Sequence, residues 1–163
     1  MKSLRFTLQI LSLVLVSHSL GAFRPISVEP DTELALSGFD VVSYHLADEP
    51  VKGHPNFQIE WSGANWRFSS QTNMRLFRRD PEKYVPEFGG YCASGMASGG
   101  TEVHACNPTV YIILEGRLIE FSSKSHLESW KRDPEGALRE GSETYRALLS
   151  ESTQVASTSE SEG

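Results

Sequence analysis

The sequence predicts an α+β domain made of two similar units, each a β-hairpin followed by a helix, that share one core. The first observation behind this is an internal echo. FSSQTNMRLFRRDPE, starting at Phe68, returns as FSSKSHLESWKRDPE, starting at Phe121, with every matched position displaced by 53 residues and no gap. Gly63 then pairs with Gly116, Ser69 and Ser70 with Ser122 and Ser123, Phe77 with Trp130, and Asp80-Pro81-Glu82 with Asp133-Pro134-Glu135. The second observation is that each echo follows a stretch of alternating bulky residues broken by a glycine turn. Two copies are too few for a solenoid, and one hairpin with one helix buries too little surface to stand alone. The units, at about 38–88 and 89–149, are therefore expected to pack on each other.

The chain opens with Lys2 and Arg5, an apolar stretch over residues 6–16 and small residues as far as Ala22. This pattern predicts a secretory signal peptide over residues 1–22, too short in its apolar part to span a membrane, which takes about 20 residues. The expected compartment is the secretory pathway: extracellular, periplasmic or an organelle lumen. The junction Gly21-Ala22-Phe23-Arg24-Pro25 also resembles the leaders of proteins sent to complex plastids of algae, which is the alternative. Loss of Lys2 and Arg5 takes the formal net charge from −6 to about −8. An acidic chain without a dense cluster of Lys or Arg is not a nucleic-acid binder.

After an N-terminal extension over residues 23–37, FQIEWSGANWRFS reads as a hairpin turning at Ser62-Gly63. VYIILEGRLIEFS is its counterpart, turning at Glu115-Gly116. The serines that follow are placed to cap helices, each cap contributing about 1 kcal/mol: Ser69 or Ser70 in the first unit, and Ser122, Ser123 or Ser125 in the second, where Ser125 and Glu128 fit a capping box. The first helix is expected over residues 71–79, burying Met74 and Phe77, with a turn carrying Tyr84 after Asp80-Pro81. The second is expected over residues 125–132, burying Leu127 and Trp130. A closing helix follows Asp133-Pro134 with Leu138, Tyr145, Leu148 and Leu149 at helical spacing and Gly141 as a point of interruption. The Ser-, Thr- and Glu-rich stretch 150–163 is expected to be disordered.

Residues 88–108 show no periodicity and contain five glycines, both cysteines, His104 and Met96. A long loop inside a compact domain is the expected address of function.

The segments GFDVVSYH, VKGHPNF, WSGANWRFSS and DPEKYVPEFGGYCA together resemble the YHS domain family, in particular its longer secreted members, with a G-[YF]-D-x-V-x-Y motif followed by GGYCA. The resemblance covers residues 38–148. It implies a small α+β fold related to short zinc-ribbon-like modules that accompany copper and heavy-metal handling. The chain departs from those modules at their C-x-x-x-C positions, which are Ser69 and Asn73 here, neither a good soft-metal ligand. It also has His45 where longer members carry an apolar residue, and an unusual His104-x-Cys106 pair.

Three readings of the cysteines follow. A disulfide between Cys92 and Cys106 would suit an oxidising compartment and stabilise by about 3 kcal/mol. A site of Cys92, His104 and Cys106, completed by Met96 or His45, would suit copper or zinc. A free reactive thiol at Cys92 is the third. Asp40 and Tyr44 are candidate small-ligand residues, because Gly38-Phe39-Asp40 stands in the first unit where Gly90-Tyr91-Cys92 stands in the second, with a one-residue shift. Asp40 as a turn cap and Tyr44 as a core aromatic are the simpler readings. His54 and His126 are expected at the surface, and Trp61, Trp66 and Trp130 in the core.

No nucleophile elbow, phosphate loop, H-E-x-x-H or dinucleotide fingerprint is present. The expected function is thus non-catalytic binding of a metal ion or small ligand at the Cys92 loop. The alternatives are a thiol/disulfide redox protein, with Cys92 attacking and Cys106 resolving, and an interaction module stapled by the two cysteines.

Overall fold

The computed structural model describes residues 23–47, 49–100 and 103–160, with side chains as far as Gln154, so the expected signal peptide lies outside the described residues. A 3-10 turn at Leu36–Gly38 leads to α1 (Ser43–Leu46), and then β1 (His54–Trp61), β2 (Ala64–Phe68) and α2 (Gln71–Arg79) follow. After α3 (Ala93–Ala97) come β3 (Tyr111–Leu114), β4 (Arg117–Glu120), α4 (Lys124–Trp130) and α5 (Pro134–Glu160). Helices and two separate two-stranded antiparallel sheets make this an α+β architecture.

Both hairpins turn on two residues with positive φ, Ser62 (50°) with Gly63 (71°) and Glu115 (51°) with Gly116 (79°), the backbone twist that suits a tight hairpin. Those turns set the registers Trp61 to Ala64 and Gln58 to Arg67 in the first, and Leu114 to Arg117 and Tyr111 to Glu120 in the second. Each hairpin runs straight into a capped helix. Ser70 accepts from the Asn73 amide at 3.1 Å and Ser123 from the His126 amide at 3.3 Å, so the second serine of each pair is the cap. The capping box expected from Ser125 is not formed. Ser125 lies inside α4, which starts at Lys124, and its hydroxyl meets that of Ser123 at 2.9 Å.

The expected single core is two clusters. One gathers Val41, Val42, Trp66, Phe68, Phe77 and Tyr84, the other Phe88, Met96, Phe121 and Trp130. β4 divides them, because neighbouring strand residues face opposite sides: Leu118 belongs to the first cluster and Ile119 to the second, both wholly buried.

The loop over residues 88–108 is more ordered than its composition predicts. Tyr91 forms an antiparallel bridge with Ala105, and α3 packs on α5. The N-terminal extension is fastened across the molecule, its Ser27 amide donating to the Gly89 carbonyl at 2.8 Å and its Pro25 carbonyl accepting from the Tyr145 hydroxyl.

α5 departs from expectation twice. It continues to Glu160 through the stretch expected to be disordered, where Ser152 and Thr153 hydroxyls bond back to the Leu149 carbonyl and leave the helix unbroken. It also passes Gly141 without interruption. A Cβ there would lie 2.9 Å from Cζ of Phe88 and 3.2 Å from its Cε1, so the glycine serves the close approach of helix and core. Gly141→Ala should therefore lower stability by about 1 kcal/mol net, overpacking of about 1–3 kcal/mol outweighing a gain of about 1 kcal/mol in helix propensity. Chemical denaturation measures this, and a stabilised variant would contradict it.

Candidate functional site

Cys92 is delivered to its place by Gly89 and Gly90, with φ of 61° and 85°. A Cβ on Gly89 would fall 2.0 Å from the Pro25 carbonyl oxygen, so no other residue fits. The bridge that follows is held by two amides, Cys92 donating to the His104 carbonyl and Cys106 to the Gly90 carbonyl, both at 2.9 Å. Cys92 then enters α3 with 2 % of its surface exposed. Its sulfur meets two side chains from the start of α4. Ser122 Oγ donates to Sγ at 3.4 Å, His126 Nδ1 lies 3.4 Å from Sγ, and Ser122 Oγ and His126 Nδ1 are 2.6 Å apart. Ser122 precedes the extended N-cap Ser123 and His126 lies in the first turn of α4, so the cap brings the two side chains together. Ser94 Oγ donates to the His126 carbonyl at 2.8 Å and ties α3 to α4.

The metal set expected from the sequence is not assembled. Met96 is wholly buried in the second core cluster. His104 is exposed and offers Cys92 its backbone carbonyl. His45 places Nε2 at 3.4 Å from the Tyr84 carbonyl and its ring edge-on to Tyr84, and burial pushes its pKa down. Cys106 donates to Glu120 Oε2 at 3.3 Å. Among the described residues no three His, Cys, Asp or Glu side chains form a group that could hold a metal ion.

Cys92 and Cys106 are free thiols rather than a disulfide. Across the bridge Cys92 faces His104 and Cys106 faces Gly90, so the cysteines are diagonal neighbours. Diagonal pairs stand roughly 7–8 Å apart, beyond the usual reach of the bond.

Asp40 and Tyr44 have their polar atoms committed within the protein. Asp40 is wholly buried; Oδ1 accepts from the Val42 amide at 2.9 Å, and Oδ2 from the Ser69 amide at 2.8 Å, Ser69 Oγ at 2.6 Å and Asn73 Nδ2 at 2.7 Å. Tyr44 packs edge-on against Tyr111 and donates to the Pro108 carbonyl at 2.8 Å. His126 is exposed, as expected, but its role beside Cys92 was not. The signal was present in the 53-residue displacement, which carries Ser69 to Ser122 and Asn73 to His126.

Glu120 was also missed, because strand alternation gives a Glu to the solvent side. It is 1 % exposed, with Cys106 and Tyr44 against its carboxyl and no hydrogen-bond partner on Oε1 among the described residues. Burial pushes its pKa up to about 8, against the Cys106 hydrogen bond that lowers it. Burial first, and then the Glu120 charge, push the Cys106 thiol and the Tyr44 phenol well above their ordinary ranges.

A carboxyl raised from 4.5 when unfolded to about 8 when folded contributes stability that is complete below pH 4.5 and lost as pH rises through 8. The melting temperature of Glu120→Gln minus that of the native chain should therefore rise between pH 5 and about 8.5 and then level off. A flat difference across that window would show that Glu120 ionises freely in the folded chain.

The YHS domain family model matches residues 42–87, which run from α1 through the first hairpin and α2. No curated protein and no solved structure matches the chain. No described helix is long and apolar enough to cross a membrane. The matched segment ends two residues before Gly89, so Cys92, Ser122 and His126 stand outside it. The match to the YHS domain model thus covers residues 42–87, and a second hairpin and helix, with the Cys92 cluster, follow it.

Proposed function

We propose that this chain is a non-catalytic YHS-domain protein of the secretory pathway that binds a soft metal ion, copper(I) foremost, through Cys92 with His126 as its partner. The carrying observation is the 3.4 Å separation of Cys92 Sγ and His126 Nδ1. Bonds to sulfur and nitrogen of about 2.3 and 2.0 Å span roughly 3.5 Å at a tetrahedral angle and roughly 4.3 Å when two donors bind in line, so Cys92 and His126 have to part by about 1 Å at most to share an ion. Thiolate with imidazole is a soft set that suits copper(I). Zinc takes four ligands, and no group of three or more His, Cys, Asp or Glu that could hold a metal ion forms among the described residues. Ser69 and Asn73, at the positions where short modules carry their cysteines, donate to Asp40 and do not fit a metal. The matching registers, turns and caps of the two hairpins support reading them as one duplicated unit, in which the second copy took on the ligand role.

Thiol/disulfide exchange is less well supported. Its resolving thiol would be Cys106, which is committed to Glu120 and kept protonated by its surroundings.

Titration of reduced, tag-free protein with copper(I) against a chromophoric chelator should give one ion per chain. Cys92→Ser should abolish that binding and His126→Ala weaken it by more than about tenfold, a loss of 1.4 kcal/mol. His104→Ala and His45→Ala should leave it unchanged. Native affinity no tighter than that of Cys92→Ser would overturn the proposal.

A further inference from the structure

Cys92 stands where the first unit has a carboxylate. Phe39 bridges Lys52 as Tyr91 bridges Ala105. The Asp40 amide donates to the Val51 carbonyl at 2.8 Å and the Gly53 amide to the Gly38 carbonyl at 2.9 Å, the same pair of bonds that frames Cys92. A short helix follows each, α1 after Asp40 and α3 after Cys92. Ser69 and Asn73 then close on Asp40 from the start of α2 as Ser122 and His126 close on Cys92 from the start of α4. The two side-chain frames also match internally, Asn73 Nδ2 lying 3.3 Å from Ser69 Oγ and His126 Nδ1 lying 2.6 Å from Ser122 Oγ.

In the first unit the frame grips two oxygens carried on the atom bonded to Cβ. In the second it surrounds a single sulfur at that place, a weak hydrogen-bond acceptor that uses little of what the frame offers. A cysteine sulfinate has the connectivity of aspartate, two oxygens and one negative charge on the atom bonded to Cβ.

We propose that Cys92 is a modification site at which hydrogen peroxide converts the thiol to a sulfinate that Ser122 and His126 hold as Ser69 and Asn73 hold Asp40. In the first step the sulfur attacks one peroxide oxygen. The S–O bond forms as the O–O bond breaks, sulfur gives up two electrons, and the departing hydroxide takes the thiol proton to leave as water. The sulfenic acid then loses its proton to solvent, and the sulfenate attacks a second peroxide in the same way, giving sulfinate and a second water. The oxidation stops short of a disulfide because Cys106 is diagonal to Cys92 and committed to Glu120. With 2 % of Cys92 exposed, the oxidant has to be small, and the exposed His126 ring marks its way in.

A sulfinate is a hard oxygen donor, so oxidation would release copper(I). That consequence rests on the proposed metal site, whereas the oxidation itself does not.

Peptide mass mapping of reduced, metal-free protein exposed to hydrogen peroxide tests the step. A gain of two oxygens on Cys92 is expected, with Cys106 unmodified. Ser122→Ala and His126→Ala should each lower the sulfinate yield by about fivefold, the effect of one lost hydrogen bond, and leave more dimedone-trappable sulfenic acid. Independently of how those variants fold, Cys92→Asp should melt at or above the temperature of Cys92→Ser, because the frame fits a carboxylate. A Cys92–Cys106 disulfide as the main product, a Cys92 inert to peroxide, or a Cys92→Asp chain that melts well below Cys92→Ser would each overturn the proposal. Copper(I) affinity of the reduced chain is a separate measurement, so either proposal can fail alone.

Discussion

β4 lacks a solvent face along its centre, and the arrangement of everything else follows from that. Leu118, Ile119 and Glu120 are all buried, Leu118 in one cluster and Ile119 in the other. A short strand buried on both sides welds two small assemblies, neither large enough to stand alone, into one domain. The carbonyl of Leu118 also accepts from the Glu87 amide at 2.9 Å, which anchors the chain just before Gly89 and so fixes the approach to Cys92. The cost falls on Glu120, a carboxyl taken into the interior with one oxygen unpartnered among the described residues. Its answer is to hold its proton, with the Cys106 thiol and the Tyr44 phenol protonated beside it.

The parts of the fold that local chemistry determines were legible in the sequence. Ser62-Gly63 and Glu115-Gly116 announce their turns because few dipeptides accept positive φ at both positions, and Ser70 and Ser123 announce helix starts because a hydroxyl satisfies an otherwise orphaned amide. What depends on contacts between distant segments was not legible. Strand alternation cannot tell that both faces of β4 are covered, so the burial of Glu120 is not visible in the sequence. The spacing of Cys92 and Cys106 does not reveal the register of the Tyr91 bridge, which sets the sulfurs on a diagonal. Met96 carries a soft ligand atom and an apolar side chain alike, and the packing of α3 on α5 decided for the latter. His126 was the nearest miss, since Asn73 occupies its place in a fully bonded frame.

The same backbone frame thus serves opposite ends in the two units. Around Asp40 it is a joint: three hydrogen bonds lock the hairpin exit and the start of α2 to the Asp40 turn, and a fourth, from the Val42 amide, closes the turn itself. Around Cys92 the donors are fewer and the contacts longer, and the central atom is one whose chemistry can change. Ser69 and Asn73 of the saturated frame lie within the YHS match, and Asp40 stands two residues before it.

The clamp that joins Pro25 to Gly89 and Tyr145 bears on the order in which the protein is made. Ser27 and Pro25 find their partners about 60 and 120 residues later in the chain. The bond from Ser27 can close once Gly89 has been made, whereas the bond from Tyr145 to Pro25 waits for α5. Contacts of such long sequence separation form late, because the loop entropy has to be met before they contribute.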